Sequence, residues 1–252
     1  MSSLETRDLT VRFGGHVAVD TVSCKFYPGQ LTAIVGPNGA GKTTYFNLIS
    51  GQIGVSAGQV LLGGRDITRA SVSARSHLGL GRAFQLTNLF PSLSVLENVR
   101  LVIQSRQGRG FNLWSVAGSL SDLTDAAQAI LARVRLTAQA ALPVSALPHG
   151  DQRKLEVALL LALQPAVYMF DEPTAGMSVD EAPVILDLIA QIKADPKATV
   201  LLVEHKMDVI RSLADRIIVL HNGALVADGD PATVMASAVV QEAYLGKELS
   251  DV

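Results

Sequence analysis

Short apolar and β-branched segments separated by turn residues dominate the first 35 positions of the chain. Leu4 to Phe13 and Val17 to Phe26 have the composition of strands, and Gly14-Gly15 between them is typical of a tight hairpin turn. A third apolar run, Leu31 to Val35, follows the turn signal Pro28-Gly29. This pattern predicts a β hairpin followed by a buried strand.

The middle of the chain has a different, helical periodicity. From Asn88 to about Leu163 apolar residues recur at helical spacing, most clearly over Val95 to Ile103 and Asp125 to Val134. A segment rich in glycine, serine and arginine, Ser105 to Ser121, separates these two helices. We therefore expect a mostly helical region here.

Buried-strand patterns return beyond Pro165. They cover Val167 to Phe170, Thr199 to Val203 and Arg216 to Leu220, and a helix from Asp180 to Lys193 separates the first two. Apolar strands that alternate with helices indicate a parallel sheet covered on both faces. Asn222-Gly223 then predicts a hairpin turn.

A glycine-rich segment follows the third strand and matches the phosphate-binding P-loop pattern. Its residues are Gly36, Pro37, Asn38, Gly39, Ala40, Gly41, Lys42 and Thr43, and Thr44 completes the nucleotide-binding set. The helix predicted over Thr43 to Ile49, with its stop signal Gly51, points its positive dipole end at the loop. We expect Lys42 to reach the β- and γ-phosphates and Thr43 to ligate Mg²⁺. The alternative is a glycine-rich turn that binds nothing.

Two adjacent acids follow the strand that begins at Val167. Asp171 lies at its carboxyl end, where parallel sheets bind ligands, and a carboxylate there can hold Mg²⁺ through water. Glu172 can orient or deprotonate an attacking water, which indicates hydrolysis rather than binding alone. The alternative is a surface turn in which the two acids merely repel each other.

Composition narrows the class of protein further. With 252 residues, 48% of them apolar and 17% charged, the chain can bury a sizeable core. With a net charge of −2, the chain has no overall positive potential that would attract nucleic acid. Its single cysteine, Cys24, excludes an internal disulfide framework. The most apolar run, Val157 to Phe170, is shorter than the roughly 20 residues of a membrane-spanning helix, and the polar start does not predict export.

On these motifs the sequence resembles the ATP-binding subunits of ABC transporters over nearly its whole length. The resemblance implies an α/β fold: a P-loop NTPase (RecA-like) core with an N-terminal antiparallel β subdomain and an inserted helical subdomain. The implied segments are 1–87 for the first part of the core, 88–163 for the helical subdomain, 164–230 for the rest of the core and 231–252 for the tail.

Further residues take their expected roles from this resemblance. Phe13 would stack on adenine, and Gln85 would contact the metal and the lytic water. Ala175 to Asp180 matches the D-loop, and His205 would sense the γ-phosphate. The alternatives are ordinary strand packing for Phe13, a solvated loop amide for Gln85 and a structural histidine for His205.

The signature segment, Leu147 to Arg153, departs from the family pattern. The family usually has Leu-Ser-Gly-Gly-Gln, and this chain has Leu-Pro-His-Gly-Asp, so the serine hydroxyl that contacts the opposite subunit's ATP is absent at Pro148. Gly150 is retained, and a helix predicted over Gln152 to Leu161 still directs its dipole at an anion. Proline suits the first turn of a helix, so we expect the local structure to survive.

The sequence resembles most closely the subunits of branched-chain amino-acid uptake systems. The evidence is the variant signature at 147–152, the run Ala175-Gly176-Met177, the segment Ala243-Tyr244-Leu245-Gly246 and the insertion at 105–121. Related subunits that serve urea, amides or lipids are similar, so these solutes stay open. A P-loop kinase is a further alternative, and it would lack the series formed by Gln85, the signature and His205.

The resemblance also implies cofactors and partners. ATP and Mg²⁺ would be the cofactors, with Thr43, Gln85 and Asp171 around the metal. The partners would be transmembrane permease subunits, a second ATP-binding subunit in a heterodimer or homodimer and, indirectly, a periplasmic or extracellular solute-binding protein, with no nucleic acid. The chain would lie peripherally on the cytoplasmic face of the inner (plasma) membrane. The permease would dock near Gln85, with Thr87 to Pro91, Phe111 and Trp114 as candidate contacts.

Overall fold

A computed structural model describes residues 3–83, 89–108, 118–238 and 240–242 of the chain. It divides the protein into two compact units. The first consists of Met1–Leu80, Ala166–Glu172 and Ile192–Val252, and the second of Gly81–Pro165 and Pro173–Gln191. The four-segment division expected from the sequence remains a prediction. Among the described residues, no helix has both the length and the apolar character needed to cross a membrane.

The described strands, in chain order, are β1 (Leu4–Phe13), β2 (His16–Phe26), β3 (Gln30–Val35), β4 (Ala57–Leu62), β5 (Arg65–Asp66), β6 (Leu80–Ala83), β7 (Val167–Asp171), β8 (Thr199–Val203), β9 (Arg216–His221) and β10 (Ala224–Gly229). The described helices are α1 (Lys42–Ser50), α2 (Val72–His77), α3 (Val95–Arg106), α4 (Gly118–Arg133), α5 (His149–Leu163), α6 (Ala182–Lys193), α7 (Met207–Leu213) and α8 (Pro231–Ala236), with short 3₁₀ turns at Thr137–Gln139 and Val144–Ala146.

An antiparallel sheet of order β2-β1-β4-β5 forms one part of the first unit. The predicted hairpin is present, and β1 pairs with β2 from Leu4 opposite Phe26 to Phe13 opposite His16. Strand β2 begins one residue earlier than predicted. The sequence analysis missed β4 and β5, because Ala57 and Gly58 begin a strand whose first three residues are mostly polar or small.

The predicted parallel sheet is confirmed by the order β10-β9-β3-β8-β7 in the first unit. Strands β9, β3, β8 and β7 are parallel neighbours, and β10 returns antiparallel to β9. The connecting turn is the predicted Asn222-Gly223, where both residues have positive φ angles of 48° and 79°. All five residues of β8 are buried, as expected for a strand with both faces covered.

Alternate residues of this sheet belong to two separate hydrophobic clusters. Ile34 and Val203 face a cluster that contains the buried side of α1 and the apolar residues of the antiparallel sheet. Ala33 and Val35 face a second cluster with residues of α7 and α8, among them Ile210. The alternation of side chains along β3 therefore places apolar layers on both sides of the sheet.

Helices α3 and α4 of the second unit are longer than the sequence predicted. Helix α3 continues three residues beyond Ile103, and Ser94 and Glu97 form a capping box at its start. Helix α4 begins at Gly118, seven residues before Asp125. The segment predicted as an insertion, 105–121, is therefore partly helical at both ends; of its interior, residues 109–117 with Phe111 and Trp114 lie outside the described part.

The start of α5 corrects the prediction for Pro148. The helix begins at His149 rather than Gln152, and Pro148 precedes it with φ −57° and ψ 157°. Pro148 therefore occupies the cap position and not the first turn, because its extended ψ is incompatible with a helical residue. Its carbonyl still accepts a hydrogen bond from the Gln152 amide at 3.0 Å.

The start of α6 also differs from the prediction, because the helix begins at Ala182 and not at Asp180. Glu181 reaches back to Ser178, whose backbone N–H and hydroxyl both donate to its Oε2 at 3.2 and 2.9 Å. This reciprocal contact closes a turn over residues 178–181 and sets the point at which the helix begins.

A buried arginine holds the C-terminal end of α1. Arg75 is 2% exposed, and its guanidinium donates to the backbone carbonyls of Leu48, Ile49, Thr68 and Ala70. Burial lowers the pKa of Arg75 to about 10. Gly51 ends the helix with φ +82°, and a Cβ at this position would lie 2.7 Å from Arg75 Nε. Arg75 thereby satisfies the helix-end carbonyls that have no partner within the helix.

We expect Arg75→Met to lower the free energy of unfolding by about 3 kcal/mol, because several buried carbonyls lose their donor. Denaturation in urea, followed by circular dichroism, measures this. The matched control is Arg69→Met, whose side chain is exposed. An effect of Arg75→Met no larger than that of the control would contradict the role of Arg75.

Candidate functional site

The register of the parallel sheet brings three sequence motifs to one edge. Ile34 of β3 lies opposite Val203 of β8, and Val203 lies opposite Asp171 of β7 on its other side. Because these strands are parallel, the loops that follow them all leave from the same edge. The P-loop, Glu172 and His205 are therefore neighbours in the fold although they are far apart in the sequence.

Two glycines of the P-loop are required by close backbone contacts. Gly36 follows β3 with φ +148°, and a Cβ there would lie 2.1 Å from the Leu220 carbonyl oxygen. Gly41 has φ +94°, and its Cβ would lie 2.5 Å from the Ala18 carbonyl oxygen. A larger residue at either position would displace backbone, so the loop follows its path only with glycine.

Helix α1 begins at this loop without a side-chain cap. Gly41, which has no side chain to cap the helix, is the cap residue, and no acid occupies the first turn of α1. Lys42 is 5% exposed, and its Nζ donates to the carbonyls of Gly36 and Pro37 at 2.7 and 2.9 Å. The N–H groups of a helix start, the positive end of its dipole and a lysine cation together suit a polyphosphate.

Oxygen donors suitable for Mg²⁺ are present at the same edge. Thr43 is exposed in the first turn of α1, and Asp171 is partly buried at the end of β7. Among the described residues, no group of three or more His, Cys, Asp or Glu side chains forms a metal cage. This donor set fits Mg²⁺, which proteins commonly hold through one or two side chains together with substrate phosphates. Gln85, the third predicted ligand, lies outside the described residues.

Glu172 and His205 are in direct contact. Glu172 Oε1 lies 2.8 Å from His205 Nε2, and both side chains are about 40% exposed (42% and 40%). Glu172 has φ +48°, a left-handed conformation that is rare outside glycine, and its N–H donates to the Val203 carbonyl at 2.9 Å. Strained backbone of this kind is concentrated at functional sites. The contact holds a solvent-accessible carboxylate in one orientation, as a general base requires.

A third acid beside this pair was missed by the sequence analysis. Glu204 is 4% exposed, and its Oε1 accepts hydrogen bonds from the N–H groups of His205 and Lys206, both at 3.1 Å. Its Oε2 has no hydrogen-bond partner among the described residues. Glu204 therefore fixes the turn that carries His205. The available signal was an acid placed directly after the fully apolar end of β8.

Phe13 lies at the end of β1 and is 50% exposed. It pairs with His16 across the hairpin, and β2 then passes the P-loop, where the Ala18 carbonyl approaches Gly41. An uncovered ring at this hairpin provides a flat apolar surface, which is what stacking on a planar ligand requires.

The signature segment lies in the second unit. Gly150 is buried in the first turn of α5, and a Cβ there would lie 2.2 Å from Glu181 Oε1. In the D-loop segment, Gly176 has φ +72° and packs against the His149 ring. Thr87 and the segment 243–246, like Gln85, lie outside the described residues.

Comparisons with known proteins find similarity over nearly the whole chain. The ABC transporter family model matches residues 19–175. The chain is 35% identical to the high-affinity branched-chain amino acid transport ATP-binding protein LivG of Escherichia coli, covering 97% of this chain and 98% of that protein. It is 36% identical to BraF of Pseudomonas aeruginosa, a protein of the same description, with the same coverage.

Solved structures agree with the sequence relatives. A nucleotide-free ATP-binding cassette from an ABC transporter superposes with a TM-score of 0.80 at 27% identity, covering 97% of this chain and 99% of that one. A second ABC transporter cassette, in an ADP conformation, gives a TM-score of 0.80 at 28% identity and covers 98% of this chain and 99% of its own. Similarity of this extent, joined to a complete P-loop, shows that the chain belongs to the ABC transporter family as an ATP-binding ATPase subunit.

Proposed function

We propose that this subunit hydrolyses Mg²⁺–ATP to power the uptake of branched-chain amino acids through a membrane permease. The observation that supports hydrolysis is the contact between Glu172 and His205 at the sheet edge that also carries the P-loop. The support for the solute is that LivG and BraF are branched-chain amino acid transport ATP-binding proteins, together with the variant signature that the sequence analysis identified.

Binding begins with an exchange of partners at Lys42. Its ammonium, which donates to the Gly36 and Pro37 carbonyls, turns to the β- and γ-phosphates. The N–H groups of the loop and of Thr43 and Thr44 surround the same phosphates, since the loop leads directly into the start of α1, whose cap residue Gly41 has no side chain. Phe13 stacks on the adenine.

Three residues hold the metal in this proposal. Thr43 contributes its hydroxyl, Asp171 its carboxylate through water, and Gln85 its side-chain oxygen. Bound by these residues, Mg²⁺ would neutralise part of the negative charge that develops on the phosphate oxygens during transfer. Among the described residues, the chain's own contribution is to keep the Thr43 hydroxyl and the Asp171 carboxylate at the edge where the P-loop begins.

Glu172 provides the base for hydrolysis. Its carboxylate takes a proton from a water as the water oxygen bonds to the γ-phosphorus. The bond from that phosphorus to the oxygen that bridges the β- and γ-phosphates breaks, and this oxygen leaves with ADP. His205 keeps the carboxylate oriented through the 2.8 Å contact and, in this proposal, senses the γ-phosphate. Glu204 holds the His205 backbone while this occurs.

A second ATP-binding subunit completes each site in this proposal. The first turn of α5, with Gly150, meets the γ-phosphate bound by the other subunit, in a homodimer or a heterodimer. Closure of the pair removes water around the phosphates. This strengthens the electrostatic interaction between the fixed N–H dipoles and the phosphate charge. Permease subunits in the membrane hold the pair peripherally on the cytoplasmic face of the inner membrane, and a solute-binding protein delivers the solute.

We expect Lys42→Ala to weaken ATP binding at least about 100-fold, since the buried cation that faces the phosphates is removed. Isothermal titration calorimetry with ATP, in the presence and absence of Mg²⁺, measures this. Lys197→Met, a change at an exposed lysine, serves as the control. Equal affinity in Lys42→Ala and the control would rule out the proposed phosphate contact.

We expect Glu172→Gln to reduce phosphate release about 100-fold or more while ATP binding is retained, because the amide cannot accept the water's proton. ATP should also convert this variant into stable dimers in sedimentation velocity. Glu242→Gln, at an exposed position, is the matched control. Undiminished phosphate release would contradict the role of Glu172, and transfer of the γ-phosphate to an added acceptor, without release of free phosphate, would favour a P-loop kinase.

The solute is tested with the subunits that co-purify with this chain from membranes. Reconstituted in proteoliposomes with their binding protein, they should accumulate leucine, isoleucine or valine in an ATP-dependent way. The same preparation with Glu172→Gln should not transport. Accumulation of urea, an amide or a lipid instead of these amino acids would overturn the assignment.

A further inference from the structure

A lysine joins two carboxylates at the start of the signature helix α5. Lys154 Nζ lies 2.8 Å from Asp151 Oδ1 in the same helix and 3.5 Å from Glu181 Oε1, which precedes α6. The Lys154 and Asp151 side chains are 12% and 13% exposed, so neither is an ordinary solvated surface charge. The bridge links two elements of the second unit.

The position of Glu181 is fixed by its other oxygen. Oε2 accepts the N–H and the hydroxyl of Ser178, and these hydrogen bonds lower the pKa of Glu181. The carboxylate is therefore ionised at neutral pH. Its Oε1 lies against the Gly150 backbone, where a Cβ would come within 2.2 Å. A negative charge is thus held beside the first turn of α5.

The charges at this helix start are unbalanced. Asp151 and Glu181 contribute −2 and Lys154 contributes +1, so the cluster carries −1. Arg153, the cation directly before Lys154 in the helix, pairs with Glu156 at 3.2 Å. Carboxylates near a helix N-terminus are favourable for the isolated helix, and for the same reason they compete with any other anion that approaches it.

The signature of this chain makes that competition important. Pro148 has neither a side-chain donor nor an N–H, so the attraction for an anion comes from the backbone N–H groups of the first turn and from the dipole. Without Lys154 this turn would carry the Asp151 carboxylate and lie beside that of Glu181, with neither charge offset by this lysine.

We propose that Lys154 is a positioning residue for ATP-driven pairing: it holds Asp151 and Glu181 in place and neutralises one of their charges, so that the Gly150 turn can receive the γ-phosphate bound to a second subunit. This inference rests on the proposed function. Lys154 acts through the two carboxylates and does not itself contact the nucleotide.

The test measures ATP-dependent dimerisation in the Glu172→Gln background by sedimentation equilibrium. Lys154→Met should weaken the dimer at least about tenfold, and Lys154→Arg should recover most of the loss. Adding Asp151→Asn to Lys154→Met should also recover part of it, because one uncompensated carboxylate is removed. The affinity of the monomer for ATP should stay unchanged, and Lys197→Met in the same background is the control.

A salt series separates this role from a purely structural one. Raising the ionic strength from about 0.05 to about 0.5 M screens exposed and partly exposed charges, so it should reduce the Lys154→Met defect. A defect caused only by looser folding would follow the melting temperature of the variant and would not be relieved by salt.

Two outcomes overturn the inference in different ways. If the Glu172→Gln parent dimerises with ATP and Lys154→Met matches it, or if Asp151→Asn restores nothing, the role of Lys154 is wrong while the proposed function stands. If the parent itself forms no ATP-dependent dimer, the proposed pairing is wrong and the inference falls with it.

Discussion

The parallel pairing of β3, β8 and β7 is the constraint on which the rest of the site depends. Ile34, Val203 and Asp171 lie in one row across these strands. Alternate side chains of the sheet, such as Ile34 and Val35 of β3, are buried in two different apolar layers, so a slip of one residue in the register would turn side chains to the wrong layer. The hydrophobic effect thereby fixes the positions at which the P-loop, Glu172 and Glu204 leave the sheet.

The backbone is strained or crowded at the points where the P-loop and the loop with Glu172 leave the sheet. Gly36 and Gly41 lie against carbonyl oxygens of neighbouring strands, and Glu172 adopts a left-handed conformation although it has a side chain. Such conformations persist only where the surrounding packing determines them. Here that packing is provided by the fully buried strand β8 and by Arg75, which caps the far end of α1. Residues remote from the site therefore help to define its geometry.

The second unit meets a different requirement. Its signature segment lacks the serine hydroxyl of the family pattern, and Pro148 caps α5 without any side-chain donor. Charge balance at the helix start therefore matters more than in a signature with a hydroxyl. The Lys154 bridge to Asp151 and Glu181 offsets one of the two negative charges, and it connects the signature helix to the segment that follows Glu172 in the sequence.

The sequence alone determined the local features: the hairpin, the order of the strands and helices that it predicted, the P-loop, and the acids Asp171 and Glu172 at the end of β7. Each of these features depends on a periodicity or a motif that spans only a few residues. It missed β4, whose composition is weak, and it placed the start of α5 three residues too late, because proline fits a cap as well as a first turn. Only the tertiary structure decided that Glu172 contacts His205, that Glu204 is buried and that Lys154 meets Glu181. These contacts join residues on different segments, and sheet register and helix packing bring them together rather than any local pattern.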